Sequence, residues 1–218
     1  MKNKFTTTQI LGIEKQLSCP EGVKGVELGH KMHASNIGMT MAAINALQIE
    51  DENIVLELGH GNCHHLKEIT GKATRIKYYG LEISETMQQE AIAFNMNSNA
   101  SFELYDGINI PHEDYFFDRI ITVNTIYFWA NPKGLLQEIS RVLKPNGLVS
   151  IAFADKEFMK ELPFVGERFT LYDLEAIKEL ITSTNLEIDR VQNKEEEVTN
   201  KVGELVHRAF KVVVLKKS

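Results

Sequence analysis

From Asn53 onward, short apolar runs alternate with stretches in which apolar residues recur every three or four positions. The first pattern is that of a strand covered on both faces, and the second is that of an amphipathic helix. Strands are predicted over 53–57, 75–81, 101–105, 118–123 and 147–153. Helical patterns between them imply parallel strands joined by crossovers. Leu135, Ile139 and Val142 form one helical stripe, opened by Asn131-Pro132 and stopped by Lys144-Pro145-Asn146-Gly147. Thr170 with Asp173 reads as a capping box with Asp in the place of Glu, and Leu174, Ile177 and Ile181 supply the apolar face of the next helix.

The two ends break this alternation. Residues 186–191 and 206–215 are both β-patterned, and the charged loop between them, 192–201, is too short for a crossover helix, so they are predicted to pair antiparallel at a sheet edge. Ahead of the sheet, 8–17 and 34–47 read as helices, the second with Ile37, Met41 and Ile44 on one face. The predicted organisation is a helical cap over 1–50 and an α/β domain over 51–218, forming one structural unit.

A chain of 218 residues, 43% of them hydrophobic, is long enough to bury one substantial core. Its 24 Lys and Arg against 30 Asp and Glu leave a net charge of -6, which gives no footprint for nucleic acid. No run reaches the roughly 20 apolar residues of a membrane span, and 1–16 lack the apolar core of a secretory signal. A cytoplasmic location is the expectation. Cys19 and Cys63 are too few for a disulfide scaffold and read as free thiols.

The chemistry concentrates at the ends of the predicted strands. Asn53 to Cys63 reads as a buried strand ending in Glu57, then a turn spaced by Gly59 and Gly61, then a helix starting near Asn62. Glycines there allow positive φ and close approach of a ligand, and a helix N-terminus would face it. This turn lies at the carboxyl ends of the strands, where open α/β sheets bind ligands. Glu82 follows the next strand, placed to accept hydrogen bonds from a ribose diol; Asp106-Gly107 follows the third, suited to the edge of an adenine.

Together, Glu57-x-Gly59-x-Gly61, Glu82, Asp106 and Val142-Leu143-Lys144-Pro145-Asn146-Gly147 resemble the class I S-adenosylmethionine-dependent methyltransferases, within the small-molecule group that includes ubiquinone and menaquinone biosynthesis enzymes. The resemblance runs from about Ala34 to Leu215. It implies a Rossmann-like, doubly wound and mostly parallel seven-stranded sheet with an antiparallel edge strand. It further implies that Gly59 and Gly61 pack on the methionine part of the cofactor while Glu57 helps hold its amino group. Glu82 would then bind the ribose, Ile83 would pack on the adenine, Asp106 and Gly107 would read its edge, and Asn124 would sit beside the sulfonium. Cys63 stands where many members have a third glycine.

Methyl transfer from a sulfonium is an in-line displacement, so alignment in a dry pocket is the main requirement. Tyr127 and His33 are the candidates to orient or deprotonate a small, partly hydrophobic methyl acceptor. Trp129 is a candidate pocket wall beside Tyr127, and Phe128 reads as core; Phe158, Met159, Leu162 and Phe164 form either a lid or a cover for the sheet. His60, Cys63, His64 and His65 have donor types that suit zinc, but they sit on the cofactor turn and lack a second ligand group, so no metal is expected. A nicotinamide-dependent oxidoreductase is the competing enzyme class. The dinucleotide fingerprint wants glycine where this chain has His64. A non-catalytic cofactor-binding protein also remains open. The edge strand and the cap are the surfaces that would serve a homodimer.

Overall fold

The computed structural model describes residues 6–199 and 205–218. In chain order the elements are α1 (Thr7–Ser18), α2 (Gly22–Ala46), β1 (Ile54–Leu58), α3 (Leu66–Thr70), β2 (Lys77–Glu82), α4 (Glu85–Phe94), β3 (Ser101–Leu104) and β4 (Phe117–Val123). A single 3-10 turn over Ile126–Phe128 precedes α5 (Pro132–Val142), β5 (Leu143–Ala154), α6 (Lys156–Lys160), α7 (Leu174–Ile181), β6 (Leu186–Thr199) and β7 (Leu205–Lys217).

The seven strands form one sheet in the order β3-β2-β1-β4-β5-β7-β6. The first five run parallel, while β7 pairs antiparallel with β5 and with β6. The sheet is therefore the Rossmann-like, doubly wound one expected, with its chain reversal at the β6–β7 edge. Strand alternation divides the buried residues between two faces. Leu56 and Leu58 of β1, Val149 and Ile151 of β5 and Val213 of β7 share one core with α5 and α7. Val55, Ala152, Val212 and Val214 share the other core with Met39, Ala43 and Ile44 of α2. Between them the two faces leave the carboxyl ends of the parallel strands as the open edge.

Several boundaries differ from the sequence pattern. Helix α2 begins at Gly22, twelve residues before the predicted start, because its first half packs by close approach and not by an apolar stripe. Gly29 lies directly against Met87 of α4, where any Cβ would meet the Met87 sulfur. The charged segment after Val191 is not a loop: β6 continues to Thr199, paired in register with β7 as far as Leu205. Alternating exposure along this hairpin lets a charged strand persist beyond the sheet. Asn200 and Lys201, the end of the predicted loop, lie outside the described residues. Asp173 itself caps α7, accepting from the Ala176 amide at 3.0 Å, so Thr170 does not act as the cap.

The helix after the glycine turn is also shorter than expected. It starts at Leu66 and not near Asn62, since Cys63 takes a left-handed φ of 47° and the Leu66 amide bonds back to the Cys63 carbonyl. The turn itself, and not a helix N-terminus, presents its backbone at the sheet edge.

Candidate functional site

At the end of β1, Gly59 and Gly61 have φ values of 70° and 57°, a region that strains any other L-residue. Their surroundings differ. A Cβ at Gly59 would collide with Thr125 Cγ2, whereas one at Gly61 would meet nothing within 4 Å. The first glycine is demanded by protein packing and the second borders open space.

That space is a cleft of about 710 Å³, counting the part open to solvent. Its floor is the row of strand ends: Gly59 and Gly61, then Glu82 and Ile83, then Tyr105 and Gly107, with Val123 and Asn124 from β4. Its roof is the N-terminal segment, through Leu17, Pro20, Met32 and Asn36. The roof is tied to the start of α4, where Ser84 Oγ donates to the Pro20 carbonyl at 2.5 Å and the Gly22 amide donates to Thr86 Oγ1 at 3.1 Å.

Glu82 is buried and binds two turns together. Its carboxylate accepts from the amides of Gly61 at 2.9 Å, Ile83 at 2.8 Å and Ser84 at 3.1 Å. A carboxylate offers about four lone-pair sites, so it has room for one further donor from the cleft without rearrangement. Asp106 behaves differently from the sequence expectation. Its exposed carboxylate accepts from the Ile108 and Asn109 amides at 2.8 and 2.7 Å and from Asn109 Nδ2 at 2.6 Å. It closes its own loop, while its neighbours Tyr105 and Gly107 line the cleft. Gly107 adopts a φ of 77° and lies close to Ile83, which is partly exposed on the cleft wall.

Glu57 points beneath the glycine turn. Both carboxylate oxygens bond His65 Nε2, at 2.9 and 3.0 Å, and Oε2 also accepts from the Tyr78 hydroxyl at 2.6 Å. Cys63 Sγ completes the chain 3.2 Å from the Tyr78 oxygen. All four side chains are buried. Burial alone would raise the Glu57 pKa, but the His65 ring and the Tyr78 hydroxyl outweigh it and hold the carboxyl below its ordinary value. Burial likewise opposes a charged His65, and the Glu57 carboxylate overrides it, raising the imidazole. The result is an ion pair under the turn. Ligand atoms of Glu57, Cys63 and His65 lie within 4.8 Å of one another, and hydrogen bonds among the four groups account for every one of them without an ion. The thiol stays protonated, because burial pushes Cys63 well up.

His33, half-buried on α2, stacks on His65 with ring centroids 6.0 Å apart and meets His64 edge-on at 5.4 Å. Burial first, and then the neighbouring imidazoles, lower its pKa. His33 lines a small cavity with Glu57, Asn62 and His65 that joins the cleft at Gly59 and Gly61.

A further chamber, of about 700 Å³ by the same measure, opens off the cleft where Met32, Asn36, Asn124 and Phe128 border both. Its wall is apolar: Phe158, Met159, Leu162, Phe164 and Phe169 come from the segment after β5. That segment is held down by Glu14 of α1, whose buried carboxylate accepts from the amides of Gly166 and Arg168 at 2.9 and 3.1 Å. Tyr127 presents its ring to the chamber, but its hydroxyl is committed, donating to Asn124 Oδ1 at 3.1 Å and accepting from the Ala154 amide at 2.6 Å. Burial pushes its pKa up strongly, so it is a poor base. Trp129 borders the cleft and not the chamber, with its indole N–H on Thr125 Oγ1 at 3.1 Å. Phe128, read as core, borders both cavities.

Residues 56–151 match the family model described as a methyltransferase domain. This match supports a class I S-adenosylmethionine-dependent methyltransferase. The chain's sequence is 26% identical over 131 residues to the uncharacterized methyltransferase YdaC of Bacillus subtilis, which spans 59% of this chain and 71% of that one. Its fold is similar to an S-adenosylmethionine-dependent methyltransferase from Aquifex aeolicus, with a TM-score of 0.63 at 20% identity over 97% of this chain and 99% of that one. A chain of a Haloferax volcanii complex between the Trm112 methyltransferase activator and a methyltransferase superposes with a TM-score of 0.69 at 17% identity, covering 88% and 93%.

The cofactor of this methyltransferase is S-adenosylmethionine, and the cleft fits it: Gly61 leaves open space where a side chain would otherwise stand, and Glu82 keeps acceptor capacity toward that space. Among the described residues no helix is long and apolar enough to cross a membrane. The two glycines predict separable defects. Gly59→Ala should unfold at clearly lower urea concentration, because its methyl group meets Thr125. Gly61→Ala should lose only about 1–2 kcal/mol of stability through its positive φ, yet weaken cofactor binding by more than tenfold. Equal loss of affinity in both variants at matched folded fraction would refute the distinction.

Proposed function

We propose that this methyltransferase transfers the methyl group of S-adenosylmethionine to a small, partly hydrophobic acceptor seated in the chamber behind Asn124 and Phe128. The observation that carries this reading is the junction itself, where an aromatic-lined chamber opens directly into the cofactor cleft. Such a wall desolvates an apolar acceptor and excludes water from the methyl donor. The bound cofactor supplies an electrophilic methyl group on a sulfonium with a good leaving group.

In this reading Glu82 accepts a ribose hydroxyl, Ile83 and Gly107 flank the adenine, and Tyr105 adds to its wall. Gly59 and Gly61 give the methionine part close backbone contact. Glu57 acts through the turn, by fixing His65 and Tyr78 beneath it, and Asp106 acts by shaping the loop that carries Gly107. Asn124, at a φ of 58° after β4, stands between cleft and chamber beside the transferred methyl group. His33 is the better candidate to take a proton from an acceptor, since it is held neutral and half-open, whereas Tyr127 positions Asn124. One structural unit comprising the cap and the sheet domain suits this arrangement, because the cap supplies the roof of the cleft.

Calorimetric titration with S-adenosylmethionine, S-adenosylhomocysteine and NAD tests the cofactor half of the reading. Saturable binding of both sulfur nucleosides and no heat with NAD is expected. A panel of small acceptors, scored by release of S-adenosylhomocysteine, tests the other half. Turnover restricted to large polymers such as tRNA or protein would overturn the chamber as the acceptor site.

A further inference from the structure

Among the described residues of the chamber wall one charged side chain interrupts the apolar surface. Arg208 of β7 is 9% exposed in its side chain and borders the chamber beside Ser35 and Asn36 of α2. Its guanidinium is closely held: Nε and Nη2 donate to Glu196 Oε1 at 3.1 and 2.7 Å, and Nη2 also donates to the Ser35 carbonyl at 2.6 Å. Nη1 donates to Asn36 Oδ1 at 2.9 Å. The charge is therefore matched by one carboxylate.

The bond to Asn36 has a directional consequence. A guanidinium can only donate, so Asn36 must turn its oxygen toward Arg208 and its NH2 group away. Among the described residues that NH2 group has no hydrogen-bond partner. Asn36 borders the chamber, the cofactor cleft and the small cavity beside His33. A fixed pair of N–H donors thus stands at the mouth where an acceptor would meet the methyl group.

Resting on the chamber being the acceptor pocket, we propose that Asn36, oriented by Arg208, is a specificity-determining residue selecting a neutral acceptor with a hydrogen-bond-accepting oxygen next to an apolar body. Three acceptor classes are separated by this arrangement. Among the described residues a carboxylate finds no unpaired cation in the chamber, because Glu196 already neutralises Arg208. An ammonium group faces the positive end of the amide and the guanidinium behind it. A ketone, ether or ring oxygen accepts the Asn36 N–H while its carbon skeleton covers the phenylalanines.

The test uses the full chain saturated with S-adenosylhomocysteine and four probes of one skeleton: 1-tetralone, tetralin, 1-aminotetralin as the ammonium and tetralin-1-carboxylate. By equilibrium dialysis, 1-tetralone should bind about fivefold or more tighter than each of the others, the advantage of one neutral hydrogen bond. Asn36→Leu should erase that advantage and leave tetralin affinity within about twofold. Asn36→Asp, which still pairs with Arg208, should move the preference from the ketone to the ammonium. A merely structural role for Asn36 would not reverse the order. Equal binding of 1-tetralone and tetralin by the wild type, no binding by any of the four, or an order unchanged in Asn36→Asp overturns the proposal. Failure of S-adenosylhomocysteine to bind at the outset overturns instead the reading of the cleft.

Discussion

Glu82→Ala is expected to weaken S-adenosylhomocysteine binding at least tenfold and to destabilise the fold by about 2–4 kcal/mol. Both effects follow from one carboxylate. It receives the amides of Gly61, Ile83 and Ser84, and removing it strands donors at the base of two turns. With the Gly61 amide released, the turn beside the cleft loses its position. Glu82→Gln should fall between, because one oxygen remains and an NH2 group now opposes at least one amide. Urea denaturation reads the stability term, and calorimetry at matched folded fraction reads the affinity. An unchanged affinity with lowered stability would confine Glu82 to a structural role.

Replacement of Glu57 should have the largest effect on stability. Glu57→Leu leaves His65 and the Tyr78 hydroxyl buried without their shared acceptor, and breaking one side of such a pair costs about 3–5 kcal/mol. For a chain of this length the melting temperature should fall by roughly 10 °C. The pH dependence carries a sign that packing loss alone would not give. The Glu57 pKa is lowered on folding, so its contribution is present above the ordinary 4.5 and is lost as pH falls through the depressed value. The His65 pKa is raised, so its contribution is complete below 6.5 and is lost as pH rises through the elevated value. The stability difference between wild type and Glu57→Gln should therefore be greatest between about pH 4.5 and 6.5. A difference that is flat from pH 4 to 9 would show that the pair is not ionised.

The strand ends were legible because each carries a local demand. Gly59, Gly61 and Gly107 need positive φ, and Asn131-Pro132 opens a helix whatever surrounds it. Cys63 was legible only as a departure. The structure gives its reason: the residue takes the left-handed conformation of a glycine so that its sulfur can reach Tyr78 under the turn. His65 looked like one of several loop histidines, and Tyr78 looked like one more β-former. Nothing nearby in the chain announces that they share Glu57, since Tyr78 lies 21 positions away from it. Even the pair Tyr78-Tyr79 in that strand gave no sign of which ring turns to Glu57.

Asp106 differs in another way. Its place after the third strand suggested a ligand contact, and in the structure an Asp followed by Gly107 and Asn109 accepts from the amides of its own loop. The apolar chamber was hidden for another reason. The Asn36 and Arg208 at its wall join across 172 positions, and the segment after β5 is tied by Glu14 to Gly166 across 152.

By itself the sequence determined the alternation of strands and helices, the reversed pair at the edge, the glycine turn and the family, because these depend on periodicity and on backbone angles set within a few residues. Tertiary structure decided which acids face the cleft, which histidine pairs with Glu57 and which side chains wall the apolar chamber. Those outcomes depend on burial and on partners brought together by the sheet, and a buried charge takes whichever partner lies within hydrogen-bond reach, however distant in the chain.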